Sequence, residues 1–494
     1  MRAEGPMIHL AVLAAAAFAA PLTPVQPVSF ADVFNDATLR VDTYHTGNAA
    51  EEVVTLDRVL RQGTWAGSER HLTDTFGVGR YLATVTDPVS GVLLFSKGYD
   101  TYFGEYRTTA AAEKGVRRTF HESVLVPCPN KPVRFAIAVR QRGGGLREIF
   151  ATEIDPASTA VVRAPLDAGA TVIEAAHGGD PHAAVDIAVL AEGYTAAEEK
   201  KFRADLARFV KLFFTQEPYA SHKGKFNIYG VFTPSQESGA SEPSWGVHRN
   251  TALGASFDSL GSERYLLTED NCRVRDLAAH VPYDALMIMV NSARYGGGGI
   301  YNLYCTFTAD NQWSSYVFLH EFGHSFAGLA DEYYTSSVAY SEFYPKGVEP
   351  DAPNITALLD PARLKWGALV TPGTPIPTPW EKAGYDVIDT AYQKVREALN
   401  AKIAAAKRAG APRAEVEAMQ DESERLSREN AAKVDAYLAK SRFVGQVGAF
   451  EGAGYASTGL YRPMLDCIMF SRGAKPFCKV CQQALLRVIQ HDAD

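Results

Sequence analysis

The chain has 494 residues, of which 46% are hydrophobic and 21% charged, and its formal net charge is −8. This composition excludes wholesale disorder, and the length exceeds what one ordinary hydrophobic core serves, so we expect two domains. The negative charge gives a polyanion no cationic field to bind, which excludes nucleic acid as an expected partner.

Residues 1–20 form the first segment with a recognisable pattern. Arg2 precedes an apolar run with small residues at Ala17 and Ala19, which is typical of a cleavable signal peptide. An uncleaved apolar anchor is the alternative, but the run is short for a membrane span, and no later stretch reaches the roughly 18 apolar residues of a transmembrane helix. We therefore expect a secreted or periplasmic protein without stable membrane insertion.

Export changes how the six cysteines are interpreted, because thiols outside the cytoplasm usually pair. Up to three disulfides are predicted, and Cys467 paired with Cys478 or Cys481 would form a local staple. The CxxC pair Cys478 and Cys481 also permits a structural zinc or redox site, which we favour less because no second CxxC follows. The remaining cysteines are Cys128, Cys272 and Cys305.

The region 28–165 consists of short β-prone pieces separated by Gly, Pro and Asp, such as YLATVTDPVSGVLLFSKGY and VRFAIAVRQRGGG. Alternating apolar and polar residues with frequent turns predict an N-terminal antiparallel β-sandwich domain. No catalytic constellation is present in it. The pattern changes beyond an Ala/Gly-rich stretch near residue 170.

The region 180–494 has an α/β pattern. VDIAVL and YDALMIMVN are continuous apolar runs that predict buried strands, and Thr195 with Glu198 forms a capping box that begins a helix. Within this region, residues 381–440 carry apolar residues at helical spacing on both sides of RAGAP, which predicts an inserted helical hairpin. The hairpin is either a partner-binding arm or an inert solvated excursion, and we favour the second.

The segment VFLHEFGHSFAGLADEYY contains the candidate metal-binding and catalytic residues. His320 and His324 lie one helical turn apart, so both imidazoles point to one face, as zinc ligands must. Glu321 can accept a proton from a metal-bound water, as in metallopeptidases. Histidines on the exposed side of a core helix are the alternative, but they would leave Glu321 and the following acids unexplained.

A third metal ligand is expected after the helix. The pattern HExxHxxGxxH returns a ligand three residues after its glycine. Here Gly328 comes one place late, and Asp331 stands three residues beyond it. We predict Asp331 as the third ligand, with Glu332 as the alternative; an acid without metal contact is the remaining interpretation.

HEFGHSFAGLADEYY resembles the signature of the M64 peptidases, which are IgA-peptidase-like zinc metallopeptidases. Further segments are similar to that family: DVFNDATLRVDTYHTG, WAGS, VDIAVLAEGYTAAEEKKF, YGGGGIYN, EGAGYASTGLYRPMLDCIMFS and FCKVC. The resemblance extends from Val28 to about Ile489, apart from the hairpin at 381–440. It implies an α+β protein with an N-terminal β-domain and a metzincin-like catalytic domain that binds one zinc ion.

The resemblance also assigns residues. It carries His320 and His324 over as zinc ligands and Glu321 as general base. CIMF matches the methionine turn of metzincins at Met469, with Met464 as the competitor. Ser471 stands where many metzincins have a tyrosine, so any transition-state tyrosine must come from elsewhere, and we favour none of the candidates. The candidates are Tyr333, Tyr334 and Tyr461.

The resemblance places the run Gly296 to Gly299, together with Ile300, Tyr301 and Asn302, on an edge strand above the metal. An extended peptide substrate could pair there, and glycines allow close approach. The predicted substrate-binding residues are Gly298, Gly299, Ile300 and Tyr301. A flexible loop without ligand contact is the equally weighted alternative.

Together these features predict a secreted zinc endopeptidase in which Glu321 is the general base and the substrate is a peptide or protein. The alternatives are a zinc-containing binding or adhesion protein without turnover, and a zinc amidase acting on glycans or cell-wall peptides. The cleaved bond and the oligomeric state stay open.

Overall fold

The computed structural model describes residues 28–141, 144–166, 169–335 and 344–494. The signal peptide predicted over residues 1–20 lies outside these ranges. Within them, several β-sheets combine with α-helices, in agreement with the predicted mixed α and β composition. None of the helices in this part of the chain combines the length and the apolar character required to cross a bilayer.

The N-terminal region contains two four-stranded sheets, with strand orders β5-β1-β2-β8 and β4-β3-β6-β7. The strands are β1 Phe34–Gly47, β2 Glu52–Arg61, β3 Tyr81–Thr86, β4 Leu93–Tyr99, β5 Arg118–Pro129, β6 Val133–Arg140, β7 Leu146–Ile154 and β8 Val161–Val162. Three short helices accompany them: α1 Phe30–Val33, α2 Tyr102–Tyr106 and α3 Ala110–Glu113. Neighbouring strands are antiparallel except β2 and β8.

One hydrophobic core serves both of these sheets. Leu39 and Val41 from β1 and Tyr81 and Phe135 from the second sheet belong to the same buried cluster. Alternation along each strand places such side chains on the inner face, where burial stabilises the pairing of the sheets.

A six-stranded sheet forms the framework of the second region, with order β13-β14-β12-β10-β11-β9. Its strands are β9 Thr171–Ala176, β10 Val185–Glu192, β11 Phe226–Phe232, β12 Ala285–Val290, β13 Gly297–Ile300 and β14 Tyr304–Thr308. The four inner strands are parallel, and the two edge strands run antiparallel to their neighbours. Every residue of β10 is buried, as expected for a strand covered on both faces.

Helices cover both faces of this sheet. They are α4 Glu199–Phe213, α5 Asn271–Ala278, α6 Ser314–Ala327 and α9 Lys479–Ala493. The helices α7 Lys382–Arg408 and α8 Arg413–Leu438 pack against each other as a hairpin, and β15 Phe450–Ala453 pairs with β16 Ala456–Arg462 in a small β-hairpin. Phe209 of α4 and Phe318 of α6 pack with Phe307 of β14. On the opposite face, Leu190 of β10 shares a core with Val274 of α5. This sandwiching places α6, which carries the two histidines, directly on the sheet.

Candidate metal centre and active-site cleft

Helix α6 positions the first two candidate ligands. Val317, Phe318 and Phe322 bury the helix against the sheet and fix its rotation. The spacing of His320 and His324 then brings their Nε2 atoms to 3.1 Å from each other. The structure therefore places both imidazoles at one point, as the spacing predicts.

The end of α6 brings in the third candidate. Gly328 adopts φ of +60°, and a Cβ there would lie 2.3 Å from Val78 Cγ1, so glycine is required for both reasons. The chain reverses, and Asp331 Oδ1 comes to lie 3.0 Å from His320 Nε2 and 3.3 Å from His324 Nε2.

Hydrogen bonds set the tautomers of the two rings. His320 Nδ1 lies 3.1 Å from the carbonyl oxygen of Ile468, and His324 Nδ1 lies 2.5 Å from that of Leu329. A carbonyl oxygen only accepts, so each Nδ1 carries a proton, and each ring in its neutral form presents the lone pair of Nε2. In that form two lone pairs and a carboxylate oxygen face one another.

These three atoms fit a divalent metal ion. Tetrahedral zinc with ligands at about 2.0–2.1 Å separates its ligand atoms by about 3.3 Å, close to the 3.0–3.3 Å found here. Among the described residues, Asp331 Oδ1 is buried and receives no well-directed hydrogen bond. His320, His324 and Asp331 are therefore the residues that could hold the metal.

The ionisable groups of the centre shift one another's pKa values. Burial acts to raise the pKa of Asp331, but the two histidines outweigh it and hold that pKa well below its usual range. Burial likewise opposes protonation of His324, whereas Asp331 raises its pKa to about 9. For Glu321, burial raises the pKa and the histidines oppose the rise, which gives a more basic carboxylate suited to accepting a proton.

Tyr455 is a site residue that sequence reasoning missed. Its hydroxyl donates a short hydrogen bond to Asp331 Oδ2, and its backbone has φ of +64°, which is uncommon for tyrosine. Among the proposed tyrosines, Tyr333 packs against Tyr455 in the cleft wall, with ring centroids 5.5 Å apart. Tyr334 donates to Asp386 instead, and Tyr461 pairs through its backbone with Thr356.

The segment containing Met469 lies beneath α6. Met469 is fully buried, and its sulfur lies 3.2 Å from where a Cβ on Gly323 would stand, so this glycine allows close packing. The preceding residue, Ile468, supplies the carbonyl that accepts from His320. Met464 is only partly buried at the edge of the same core.

The glycine strand β13 packs closely beside α6. A Cβ on Gly299 would lie 2.3 Å from the carbonyl oxygen of Glu321, so only glycine fits. Gly299, Ile300 and Tyr301 line the cleft, whereas a Cβ on Gly298 would point towards the side chains of Tyr265 and Leu267.

Part of the outer edge of β13 is already paired. The backbone amide of Gly297 donates to the carbonyl oxygen of Arg264 at 3.4 Å, and the carbonyl oxygen of Gly297 accepts from the backbone amide of Leu266 at 3.3 Å. The backbone of Gly297 is therefore not available to pair with a substrate.

The cleft is a cavity of about 1230 Å³ that contains the candidate metal centre, and we call it the active-site cleft. Several parts of the chain form its walls. The N-terminal region contributes Arg80, Glu105 and Arg140, the glycine strand and α6 form the centre, and the α7/α8 hairpin contributes Asp389, Tyr392 and Asn430. Residues of the segments 262–265, 344–352 and 470–472 also line the cleft. The hairpin is thus part of the cleft wall, which differs from the inert solvated excursion that the sequence favoured.

Two family models match the chain. The model described as IgA Peptidase M64 matches residues 173–489, more than half of the chain, and the model described as Peptidase M64 N-terminus matches residues 29–151. The chain belongs to the IgA peptidase M64 family. No curated protein matches it. The predicted resemblance is confirmed, and membership makes this protein a peptidase that acts on peptide or protein substrates.

In this M64 peptidase, Glu332 lies away from the two histidines. Its Oε1 is 3.2 Å from Cys481 Sγ and 3.9 Å from Cys478 Sγ, and Cys467 completes the cluster. The structure thus brings Asp331, and not Glu332, to the histidine pair.

The predicted disulfides are wrong for this structure, in which all six thiols are free. Cys467 and Cys481 come together, but their sulfurs are 3.8 Å apart, whereas a disulfide bond is about 2.05 Å long. Cys128, Cys272 and Cys305 lie on separate elements, β5, α5 and β14.

Proposed function

We propose that the protein is a secreted zinc-dependent endopeptidase. The observation that supports this function is the convergence of two imidazole lone pairs and one carboxylate oxygen, with Glu321 beside them in a large cleft. His320, His324 and Asp331 would hold one catalytic zinc and leave its fourth position for water or substrate. Export rests on the signal-peptide pattern of residues 1–20.

Bound zinc supplies Lewis acidity and lowers the pKa of a bound water. Glu321 accepts the proton of the attacking water and returns it to the nitrogen of the leaving amine. The carbonyls of Ile468 and Leu329 keep both imidazoles in the tautomer that exposes Nε2. Tyr455 orients the carboxylate of Asp331 through its hydroxyl.

The architecture supports the same proposal. The two N-terminal sheets around one core are consistent with a β-sandwich, and Met469 beneath the histidine helix is consistent with a metzincin-like methionine turn. Gly299, Ile300 and Tyr301 are the cleft residues that we propose contact an extended substrate, with Gly298 behind them.

The test is digestion of unfolded casein by the purified full-length protein. We expect cleavage that stops when 1,10-phenanthroline removes the metal and returns when zinc is added back. No cleavage by the zinc-loaded protein would contradict the proposal and favour a binding protein. Cleavage of cell-wall peptides without casein cleavage would instead identify an amidase.

We expect Tyr455→Phe to lower zinc affinity and kcat/KM by about 10-fold, because Asp331 loses the donor that orients it. Zinc affinity is measured by competition with a fluorescent chelator. Tyr461→Phe is the matched control: Tyr461 pairs with Thr356 through its backbone and is not among the described residues that line the cleft, so we expect both values to be unchanged. Equal effects of the two substitutions would refute the role of Tyr455.

A further inference from the structure

Three cysteines and a glutamate meet behind the floor of the active-site cleft. They come from three segments: Glu332 from the loop after α6, Cys467 from the segment of Met469, and Cys478 with Cys481 from the start of α9. Their exposed fractions are between 0 and 4%. We call these four residues the cysteine cluster.

The distances in the cysteine cluster match a tetrahedral zinc site. The sulfurs of Cys467 and Cys481 are 3.8 Å apart, and Glu332 Oε1 is 3.2 and 3.9 Å from the sulfurs of Cys481 and Cys478. Zinc bonds of about 2.3 Å to sulfur and 2.0–2.2 Å to oxygen give separations of about 3.8 Å between sulfurs and about 3.5 Å between sulfur and oxygen. All four ligand atoms lie within 4.8 Å of one another.

Hydrogen bonding points to a cation at the same place. Glu332 Oε1 accepts from Asn354 at 3.0 Å, but Oε2 is buried and has no hydrogen-bond partner among the described residues. The backbone amides of Cys478 and Met469 donate to Cys467 Sγ at 3.2 and 3.5 Å, which favours a thiolate. A buried carboxylate beside thiolates is costly without a positive charge to offset it.

We propose that Glu332, Cys467, Cys478 and Cys481 bind a second, structural zinc ion. Four protein ligands close its coordination sphere, which leaves no open position for substrate. Buried Arg462 offsets the excess negative charge of the ligands, while its hydrogen bonds go to backbone carbonyls such as that of Gly452.

Such an ion would link two parts of the catalytic centre. Glu332 is the chain neighbour of Asp331, and its backbone amide donates to the carbonyl of Met469 at 2.8 Å. Cys467 precedes Ile468, whose carbonyl orients His320. The structural zinc would therefore help to hold Asp331 and His320 in place. The proposal of this second ion does not depend on whether the catalytic zinc is bound.

The test is zinc content and zinc X-ray absorption of the full-length wild type. We expect two zinc ions per chain and a first shell that contains sulfur at about 2.3 Å. One zinc without sulfur scattering, or a disulfide from Cys467 to Cys478 or Cys481 in non-reduced peptide maps, would overturn the proposal. The wild-type measurement does not depend on the folding of any variant.

Variants separate the two sites. Replacing His320 and His324 by alanine is expected to leave one sulfur-bound zinc, whatever the enzyme activity. Replacing Cys478 and Cys481 by serine is expected to leave one zinc with nitrogen and oxygen ligands and to lower the melting temperature. Cys272→Ser is the control, with unchanged zinc content. Two retained zinc ions in the double serine variant would refute the assignment.

Discussion

The Glu321→Gln variant is expected to bind zinc as tightly as the wild type and to cleave casein at least about 100-fold more slowly. Glutamine keeps the shape of the side chain but cannot accept the proton of the attacking water. Because His320, His324 and Asp331 are unchanged, the metal stays. The measurements are kcat with a fluorogenic peptide and zinc content on the same preparation.

The matched control is Glu105→Gln. Glu105 lines the same cleft, and its pKa is raised to about 7 by burial and by Asp100, so it is the competing carboxylate by basicity. Its hydrogen bond comes from Tyr265 and it is not adjacent to the histidines in the sequence. We expect this control to keep most of its activity. Loss of activity in Glu105→Gln alone would reassign the base.

The Asp331→Asn variant is expected to lose the catalytic zinc and, with it, peptidase activity. The histidines alone leave two ligands, and asparagine removes the negative charge that offsets the ion. We expect zinc affinity to fall by more than the roughly 10- to 100-fold that loss of an outer hydrogen-bond partner costs. Zinc content after dialysis and chelator competition measure this loss.

Glu332→Gln distinguishes the two acids. Glu332 lies in the cysteine cluster, so we expect this variant to keep the zinc that has nitrogen and oxygen ligands. X-ray absorption identifies which of the two ions each variant retains. The choice of Asp331 would be wrong if Asp331→Asn retained that zinc and Glu332→Gln lost it.

Local features of the site could be predicted from the sequence. The approach of His320 and His324 follows from helical geometry alone, and Gly328 marks the chain reversal that delivers Asp331. The buried strands and the two helices of the hairpin follow from apolar periodicity. Each of these features is encoded within a few neighbouring residues.

Contacts between distant segments could not be predicted. Tyr455 is 124 residues from Asp331, and its left-handed backbone leaves no signal in the sequence beyond its position directly after Gly454. The disulfide prediction failed because pairing depends on where sulfurs lie in space, and export alone does not set those positions. Likewise, the spacing of Cys478 and Cys481 gives no indication that Glu332 completes their cluster.

The cleft separates the candidate catalytic residues from much of the substrate-facing wall along the sequence. The candidate ligands of the catalytic zinc and the candidate base all lie between His320 and Asp331, whereas much of the outer wall comes from the N-terminal region and the α7/α8 hairpin. A substitution at Arg140 or Tyr392 can change which peptides enter without moving a ligand. New substrate preferences can therefore evolve, or be engineered, in segments that the catalytic step leaves unconstrained.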